Sequence, residues 1–468
     1  MLAEPKRSTE GWIVESEDVT PIRVGADARP IDLRPRRAVI LAAGRSERMG
    51  RLTAGGSKAL LRLGGLPLIE RAIRRMHSVG IEDVIVVVGA NAYSVERAVG
   101  RVAPHTARTM RADRWDEGNG ASLAAAEPEL VDDALFLVMV GDHLFSDGAL
   151  DALASASQPG VLVDDHPDPG VWSEGTRVRI QDGNAIEFHR DLPEPAVDCG
   201  AFVLTPAIFE AQRRAAAEGD ASLAGAVTRF AAEHNLAAVP LPHDAWWRDV
   251  DVPADMRAAR RALRRSLSKR TDGPVSRYLN RSISTRITMA IAGLRPSPHA
   301  ISVAAFLMSL IGAVFLADGR GIAAGILVQA SSVVDGVDGE IARLQYRATA
   351  WGGLLDGVLD RLGDAVIVAG LAIWAVQTGA LSDTWAIALA VAATTGSFLS
   401  MATKDRIRAL RLPEVAEDRL NLILGGRDAR LLLIAVLAIA GSPAVALVLV
   451  VVTTSVTLVA RLVLVARS

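Results

Sequence analysis

The stretch DGVDGEIARLQYRATAWGGLLDGVLDRLGD, residues 335–364, decides how this chain is read. It sets Asp335, Asp338, Asp356 and Asp360 within otherwise long apolar runs. One charged side chain at a bilayer centre costs roughly 2.5–3.5 kcal/mol, so four unpaired ones would cost about 10 kcal/mol or more. Something must offset that cost. Within each of the pairs Asp335/Asp338 and Asp356/Asp360, the spacing puts both carboxylates on one helix face. Two facing helices would gather them into a nest for a hard divalent cation, Mg²⁺ or Mn²⁺. Gly339 and Gly352 remove bulk where a ligand or partner helix approaches, and Arg343 is suited to a phosphate. Asp364 extends the acidic face by a turn, to support the nest or bind an acceptor. Arg427, in GGRDAR, is a candidate for an acceptor phosphate. The alternative is a structural set of acids paired with Arg343 and Arg361.

Around this stretch the sequence predicts apolar spans at 299–317, 320–340, 353–378, 384–402, 430–441 and 443–465. The fifth is short for a hydrocarbon layer of roughly 30 Å. Arginine is concentrated in the loops after the second and fourth spans, whereas ADGRG, TGALSD and GSPA carry only Arg320. This bias predicts that both chain ends face the cytoplasm. Residues 274–295 are basic and amphipathic, which predicts a helix lying in the membrane interface. The preceding basic helix, 255–270, suits anionic headgroups. Across all 468 residues the apolar fraction is 50% and the mean hydropathy +0.27, both raised by this half. The net charge of −2 gives no sign of nucleic-acid binding. Cys199, the one cysteine, excludes an intrachain disulfide framework. The charged start predicts no secretory signal and a cytosolic soluble half.

Residues 1–36 read as a polar extension. From Arg37 onward, short apolar runs alternate with amphipathic ones: AVILAA (38–43), LIERAIRRMHSVG (68–80), DVIVVVG (83–89) and ALFLVMVGD (134–142). The pattern predicts a largely parallel sheet covered on both faces, with ligands beyond the carboxyl ends of its strands. LAAGRSERMG (41–50) follows the first such strand, and Asp142 ends another, where a carboxylate can bind Mg²⁺ on a triphosphate. Arg48 and Lys58 supply cations, WDEGNGAS (115–122) with Gly118 is a polar loop, and WWRDVDVPAD offers Asp249 and Asp251. Trp246 and Trp247 suit either a quaternary ammonium or core packing.

The spacing from Asp335 through Asp338, Gly339, Ala342, Arg343, Gly352 and Asp356 to Asp360 resembles the CDP-alcohol phosphatidyltransferase signature. The resemblance implies metal ions held on a CDP pyrophosphate and Asp360 deprotonating an acceptor hydroxyl. The soluble motifs resemble sugar-phosphate nucleotidyltransferases, with Ser57-Lys58 where Pro-Lys is usual and a longer stretch between Arg48 and Lys58. This second resemblance implies Leu41, Ala42, Ala43 and Gly44 at base and ribose, Arg48 and Lys58 on the triphosphate, and Asp142 with Asp251 on Mg²⁺. The expected architecture is an α/β Rossmann-like nucleotidyltransferase domain (37–263), a basic linker and interfacial helix (264–297) and an all-α six-helix transmembrane domain (298–468).

The fused order is similar to a family of bifunctional enzymes. That resemblance implies CTP and inositol 1-phosphate as substrates, CDP-inositol as intermediate and a second inositol 1-phosphate as acceptor. It also implies membrane lipid around a homodimer. Ser122, Glu187, His189 and Arg190 are candidates for polyol or phosphate contacts. Activation of choline, ethanolamine or glycerol phosphate with a lipid acceptor stays open. So does a transporter with a regulatory nucleotide-binding domain, although that reading leaves the Arg and Gly spacing between the Asp pairs unexplained.

Overall fold

The structure, a computed structural model, describes residues 34–53, 55–269, 272–412 and 426–467. The extension read at 1–36 therefore lies, up to residue 33, outside the described residues. Strand Arg37–Ala42 lies parallel to both Asp83–Val88 and Phe136–Val140, and Ala107–Arg111 extends this parallel set. Ala38 and Ile40 pack on one side with Ile69, Ile73 and Met76. Val39 and Leu41 pack on the other with Leu123, Phe136 and Phe230. Burial on both faces explains why the AVILAA run lacks polar alternation.

Beyond Phe136–Val140 the nine-stranded sheet departs from the parallel expectation. Val197–Leu204 runs antiparallel to Phe136–Val140 and to Gly160–Asp164. The chain arrives there from the antiparallel pair Arg177–Gln181 and Asn184–His189 rather than through a crossover helix, so direction reverses.

The C-terminal half is helical: Pro298–Ala317, Gly321–Leu344, Ala350–Gln377, Asp383–Ala409, Gly426–Ile439 and Pro443–Arg467, here called the first to sixth membrane helices. The first, second, fourth and sixth are long and apolar enough to cross a membrane. The third carries Asp356, Asp360 and Asp364 along its 28 residues, and the fifth has only 14. Part of the arginine-rich loop read after the fourth span is helix, since Lys404–Ala409 forms its last turns; residues 413–425 lie outside the described residues. The short fifth helix packs by backbone contact. A Cβ on Gly321 or Gly325 would stand 2.1 or 2.5 Å from the carbonyl oxygens of Ala438 and Ala435.

The segment expected in the interface forms a π-turn, Ser276–Asn280, and a helix, Arg281–Ile291, packed along the second membrane helix. Amphipathicity alone assigns its polar stripe to headgroups and water. Here part of that stripe turns inward onto Glu340, which is wholly buried. Glu340 accepts hydrogen bonds from Arg281 (2.8 Å), Ser284 (2.5 Å) and Thr288 (2.6 Å). A buried carboxylate so matched is tolerated, whereas its uncompensated partner is not.

The two halves share a core. Met49, Leu63, Leu68 and Leu263 cluster with Met289 and Ala292 and with Val337, Ile341 and Leu344 of the second membrane helix. Glu340→Ala leaves Arg281 paired with Asp272 (3.0 Å) but removes the acceptor of the buried Ser284 and Thr288 hydroxyls, and should destabilise the full chain by about 1–3 kcal/mol. Thermal unfolding in detergent should register the loss, with a smaller drop for Glu340→Gln, which keeps an acceptor.

Candidate active sites

A cleft of about 1580 Å³ opens at the carboxyl ends of the parallel strands. Leu41, Ala42, Gly44, Arg48, Lys58, Gly118, Asp142, His189, Arg190, Asp249 and Asp251 line it. Gly141 permits the close strand ends: its N–H donates to the Leu41 carbonyl (2.9 Å), and a Cβ there would lie 2.7 Å from that oxygen. The signature loop is pinned by the Ser46 hydroxyl, which accepts from the Lys58 N–H at 2.8 Å. Three residues expected to touch ligand face elsewhere. Ala43 is buried and its carbonyl accepts from Ala90. Ser122 is buried and donates to the Gly118 carbonyl at 3.1 Å. Glu187 pairs with Arg179 on the neighbouring strand. None of the three lines the cleft.

The Lys58 ammonium donates to Asp251 (2.5 Å) and Asp142, while Arg48 also pairs with Asp251. Burial opposes the charge on Lys58, but these carboxylates outweigh it and hold its pKa above the ordinary value. Asp142 was expected to share a metal with Asp251. Instead its ligand atoms gather with those of His143 and Asp249, all within 4.8 Å. His143 donates from Nδ1 to the Cys199 carbonyl (2.7 Å), which turns Nε2 toward Asp142 (3.7 Å) and Asp249 (3.8 Å). The buried Oδ1 atoms of Asp142 and Asp249 have no hydrogen-bond partner among the described residues. Orphaned acceptors beside an imidazole nitrogen fit a divalent cation's donor set.

In the membrane half, Asp335, Asp356 and Asp360 bring carboxylate oxygens within 4.8 Å of one another. Asp338 sits beside them, accepting from Ser302 and from the Gly339 N–H. The Arg427 guanidinium reaches into the nest, at 3.0 Å from Asp335, 2.7 Å from Asp360 and 2.9 Å from Asp364. Asp364 is also bound by Arg361 (2.9 Å) and by the Ser397 hydroxyl (2.6 Å), with Arg430 at 3.9 Å. It is therefore an anchor for guanidinium groups, with both oxygens engaged. Arg343 donates to the Leu267 carbonyl at 3.1 Å, at the end of the soluble domain. A Cβ on Gly339 would fall 3.1 Å from the Arg343 guanidinium, and one on Gly352 3.1 Å from His299.

Residues 38–270 match the MobA-like NTP transferase domain, and residues 296–459 match the CDP-alcohol phosphatidyltransferase family. A protein of Rubrobacter xylanophilus named bifunctional IPC transferase and DIPP synthase is 33% identical, covering 88% of this chain and 92% of its own. Proteins of the same name from Archaeoglobus fulgidus and Thermococcus kodakarensis are 33% and 32% identical, each over 85% of this chain and over 77% and 89% of their own. The chain belongs to the bifunctional IPC transferase and DIPP synthase family. It is a bifunctional enzyme with a nucleotidyltransferase domain and a CDP-alcohol phosphotransferase domain. A solved structure described as the inositol-1-phosphate CTP transferase from T. maritima is 20% identical at a TM-score of 0.44, covering 47% of this chain and 91% of that one.

Some residues that shape the family's two sites here escaped sequence reasoning. His143 follows Asp142 directly, and its place after a strand end was the available signal. Arg430 read as a topology signal, although it is buried beside Asp364; Arg361 was weighed only as a partner of structural acids, and it does bind Asp364. Glu340 looked like part of a motif's wording.

Burial pushes Asp249 and Asp198 each up to about 6. Burial lowers the His143 pKa, but Asp249 and Asp142 outweigh it and the net shift is upward. All three folded values exceed their unfolded ones, so each contributes stability at acid pH that is lost as pH rises through the folded value. Asp142 is shifted down: burial raises it, but Lys58 and His143 prevail, so its contribution stays constant above the ordinary carboxylate range. Metal-free protein should therefore lose thermal stability in the soluble domain from about pH 4 to about pH 6, as Asp249 and Asp198 ionise, and further above about pH 6.5 as His143 gives up its proton. Asp249→Asn should flatten the slope in a pH series of calorimetric scans, and added Mg²⁺ should restore stability at pH 8.

Proposed function

We propose that the soluble domain converts CTP and inositol 1-phosphate to CDP-inositol and pyrophosphate. The membrane domain then moves the phosphoinositol group onto a second inositol 1-phosphate and releases CMP. The observation that carries this reading is the convergence of Asp335, Asp356 and Asp360 inside apolar helices, in a chain whose other half holds the Lys58–Asp142–Asp251 cleft. The division follows 37–263 for activation, 264–297 for the linker and 298–468 for transfer.

In the cleft, Leu41, Ala42, Gly44 and Gly118 leave room for base and ribose. Arg48 and Lys58 exchange their carboxylate partners for the triphosphate. A phosphate oxygen of inositol 1-phosphate attacks the α-phosphorus, and the bond to the bridging oxygen breaks with pyrophosphate taking the electron pair. Asp142, Asp249 and His143 would hold one Mg²⁺ or Mn²⁺, and Asp335, Asp338, Asp356 and Asp360 another. Bound there, such an ion neutralises phosphate charge and stabilises the leaving group. In the membrane domain, Asp360 takes the proton of the acceptor hydroxyl. The hydroxyl oxygen then forms its bond to the β-phosphorus as the bond to CMP breaks. The guanidinium groups of Arg361, Arg427 and Arg430 outnumber the acid they share at Asp364, which supports a phosphate-bearing acceptor. Arginine bias supports both ends in the cytoplasm, at the inner membrane. Exposed Trp351, Leu354, Val358 and Leu362 on the third membrane helix support burial against lipid or a second copy in a homodimer.

Transfer of phosphocholine is the second reading. Trp247 spends its ring on His143, at 5.3 Å between centroids, and its N–H on Asp164. That commitment favours a polyol over a quaternary ammonium.

Labelled CTP with purified full-length protein tests the reading. Inositol 1-phosphate should drive pyrophosphate release and then CMP release. Asp360→Asn should cut CMP release about 100-fold or more and leave pyrophosphate release intact, whereas Lys58→Ala should abolish both from CTP and leave CMP release from supplied CDP-inositol and inositol 1-phosphate intact. Choline-phosphate dependence would replace the inositol reading. Ion flux without turnover of any alcohol phosphate would replace it with a transporter.

A further inference from the structure

The second membrane helix, which bears Asp335, Asp338 and Arg343, ends in a strained turn. Tyr346 follows its last residues at φ +54°, a left-handed conformation that favours glycine. The turn closes around it, with the Arg347 N–H donating to the Ala342 carbonyl (2.7 Å) and the Tyr346 N–H to the Arg343 carbonyl (3.2 Å). A non-glycine residue is strained there and persists when its surroundings over-determine it. The soluble domain provides those surroundings. Arg71 and Arg75 lie over the Tyr346 ring, at 5.8 and 5.5 Å from its centroid. Both arginines are buried. Arg71 donates to the Leu344 carbonyl at the helix end (3.1 Å) and to Leu63 within its own domain (2.7 Å). Arg75 is fixed by the Phe145 carbonyl (3.2 Å) and Asp147 (2.5 Å).

The hairpin Arg62–Pro67 completes the grip. Gly64 and Gly65 have φ of +58° and +82°, and a Cβ would meet Leu344 at 2.8 Å and the Ala292 carbonyl at 2.1 Å. That same carbonyl accepts from the Gln345 side chain at 2.9 Å. The hairpin follows Lys58 with only a short turn between. The soluble domain therefore clamps the end of the helix that carries half of the acidic nest.

We propose that Tyr346 is a positioning residue of the phosphotransfer site, through which Arg71 and Arg75 of the soluble domain fix the height and rotation of the second membrane helix. The inference rests on the transfer reading above and adds to it a structural dependence of one active site on the other domain. Tyr346 touches no substrate. It acts by holding Asp335 and Asp338 opposite Asp356 and Asp360.

Tyr346→Gly relieves the backbone while removing the ring, so a purely structural role predicts an unchanged or improved melting temperature and unchanged turnover. Positioning predicts otherwise. With CDP-inositol and inositol 1-phosphate supplied directly to the full chain, CMP release should fall about tenfold or more in kcat, since small misplacements are costly. Pyrophosphate release from CTP should stay at the wild-type rate, and Tyr346→Phe should recover most of the transfer. Mn²⁺ titration followed by electron paramagnetic resonance, in an Asp142→Asn background that disables the soluble site, should show weaker binding in Tyr346→Gly. Wild-type kcat and wild-type Mn²⁺ affinity in Tyr346→Gly would overturn the proposal. A wild-type chain that releases no CMP from CDP-inositol and inositol 1-phosphate would sink the transfer reading itself, and the Mn²⁺ affinity then decides whether the clamp positions the nest.

Discussion

Mutual repulsion among carboxylates in a poorly polarisable interior is the constraint around which this molecule is built. Asp335, Asp356 and Asp360 stand close enough to share one ligand, half-buried where solvent screens them only in part. Arg427 meets two of them, and its other nitrogen is tied to Asp364, which Arg361 and Ser397 bind in turn. The network descends in steps from a strongly acidic centre to a basic periphery. An acid-rich centre attracts a cation, and a base-rich rim receives the phosphates that a cation alone cannot neutralise. The soluble cleft repeats the scheme: Lys58 and Arg48 satisfy Asp251, while one oxygen each of Asp142 and Asp249 is left over.

Packing carries these charges to their places. The second membrane helix touches the fifth at glycines, which brings the fifth helix and Arg427 at its start against the nest. It touches the linker helix through Glu340 and the soluble domain through Leu344 and Tyr346. One helix thus answers at once to the fifth helix, the linker helix and the soluble domain.

How much of this could be read beforehand depended on the kind of signal. The membrane aspartates were legible because acids at helical spacing in apolar surroundings are too costly to keep unless a cation or a base meets them. The strand-end positions of Gly44, Lys58 and Asp142 were legible from the alternation of buried strand and amphipathic helix. Partnership was not. Nothing local to Asp142 says that Asp249 and His143, rather than Asp251, would approach its free oxygen, because that choice is made by Lys58 reaching across from another loop. Ser122 turns back onto the carbonyl four residues before it, an option open to any helical serine, and Glu187 meets an arginine that only strand pairing brings opposite. The polar stripe of residues 281–288 had the right period and the wrong environment, since periodicity shows that a face differs without saying what it faces.

The buried bond set at Glu340 bears on how an intermediate would pass between the halves. A domain on a slack tether samples a cloud of positions, and the local concentration of whatever it delivers depends on tether length. Here the tether's own helix is nailed to the receiving domain by an ion pair and two hydroxyls. The distance between the two mouths is then a constant of the fold, and delivery becomes a matter of diffusion across a fixed gap.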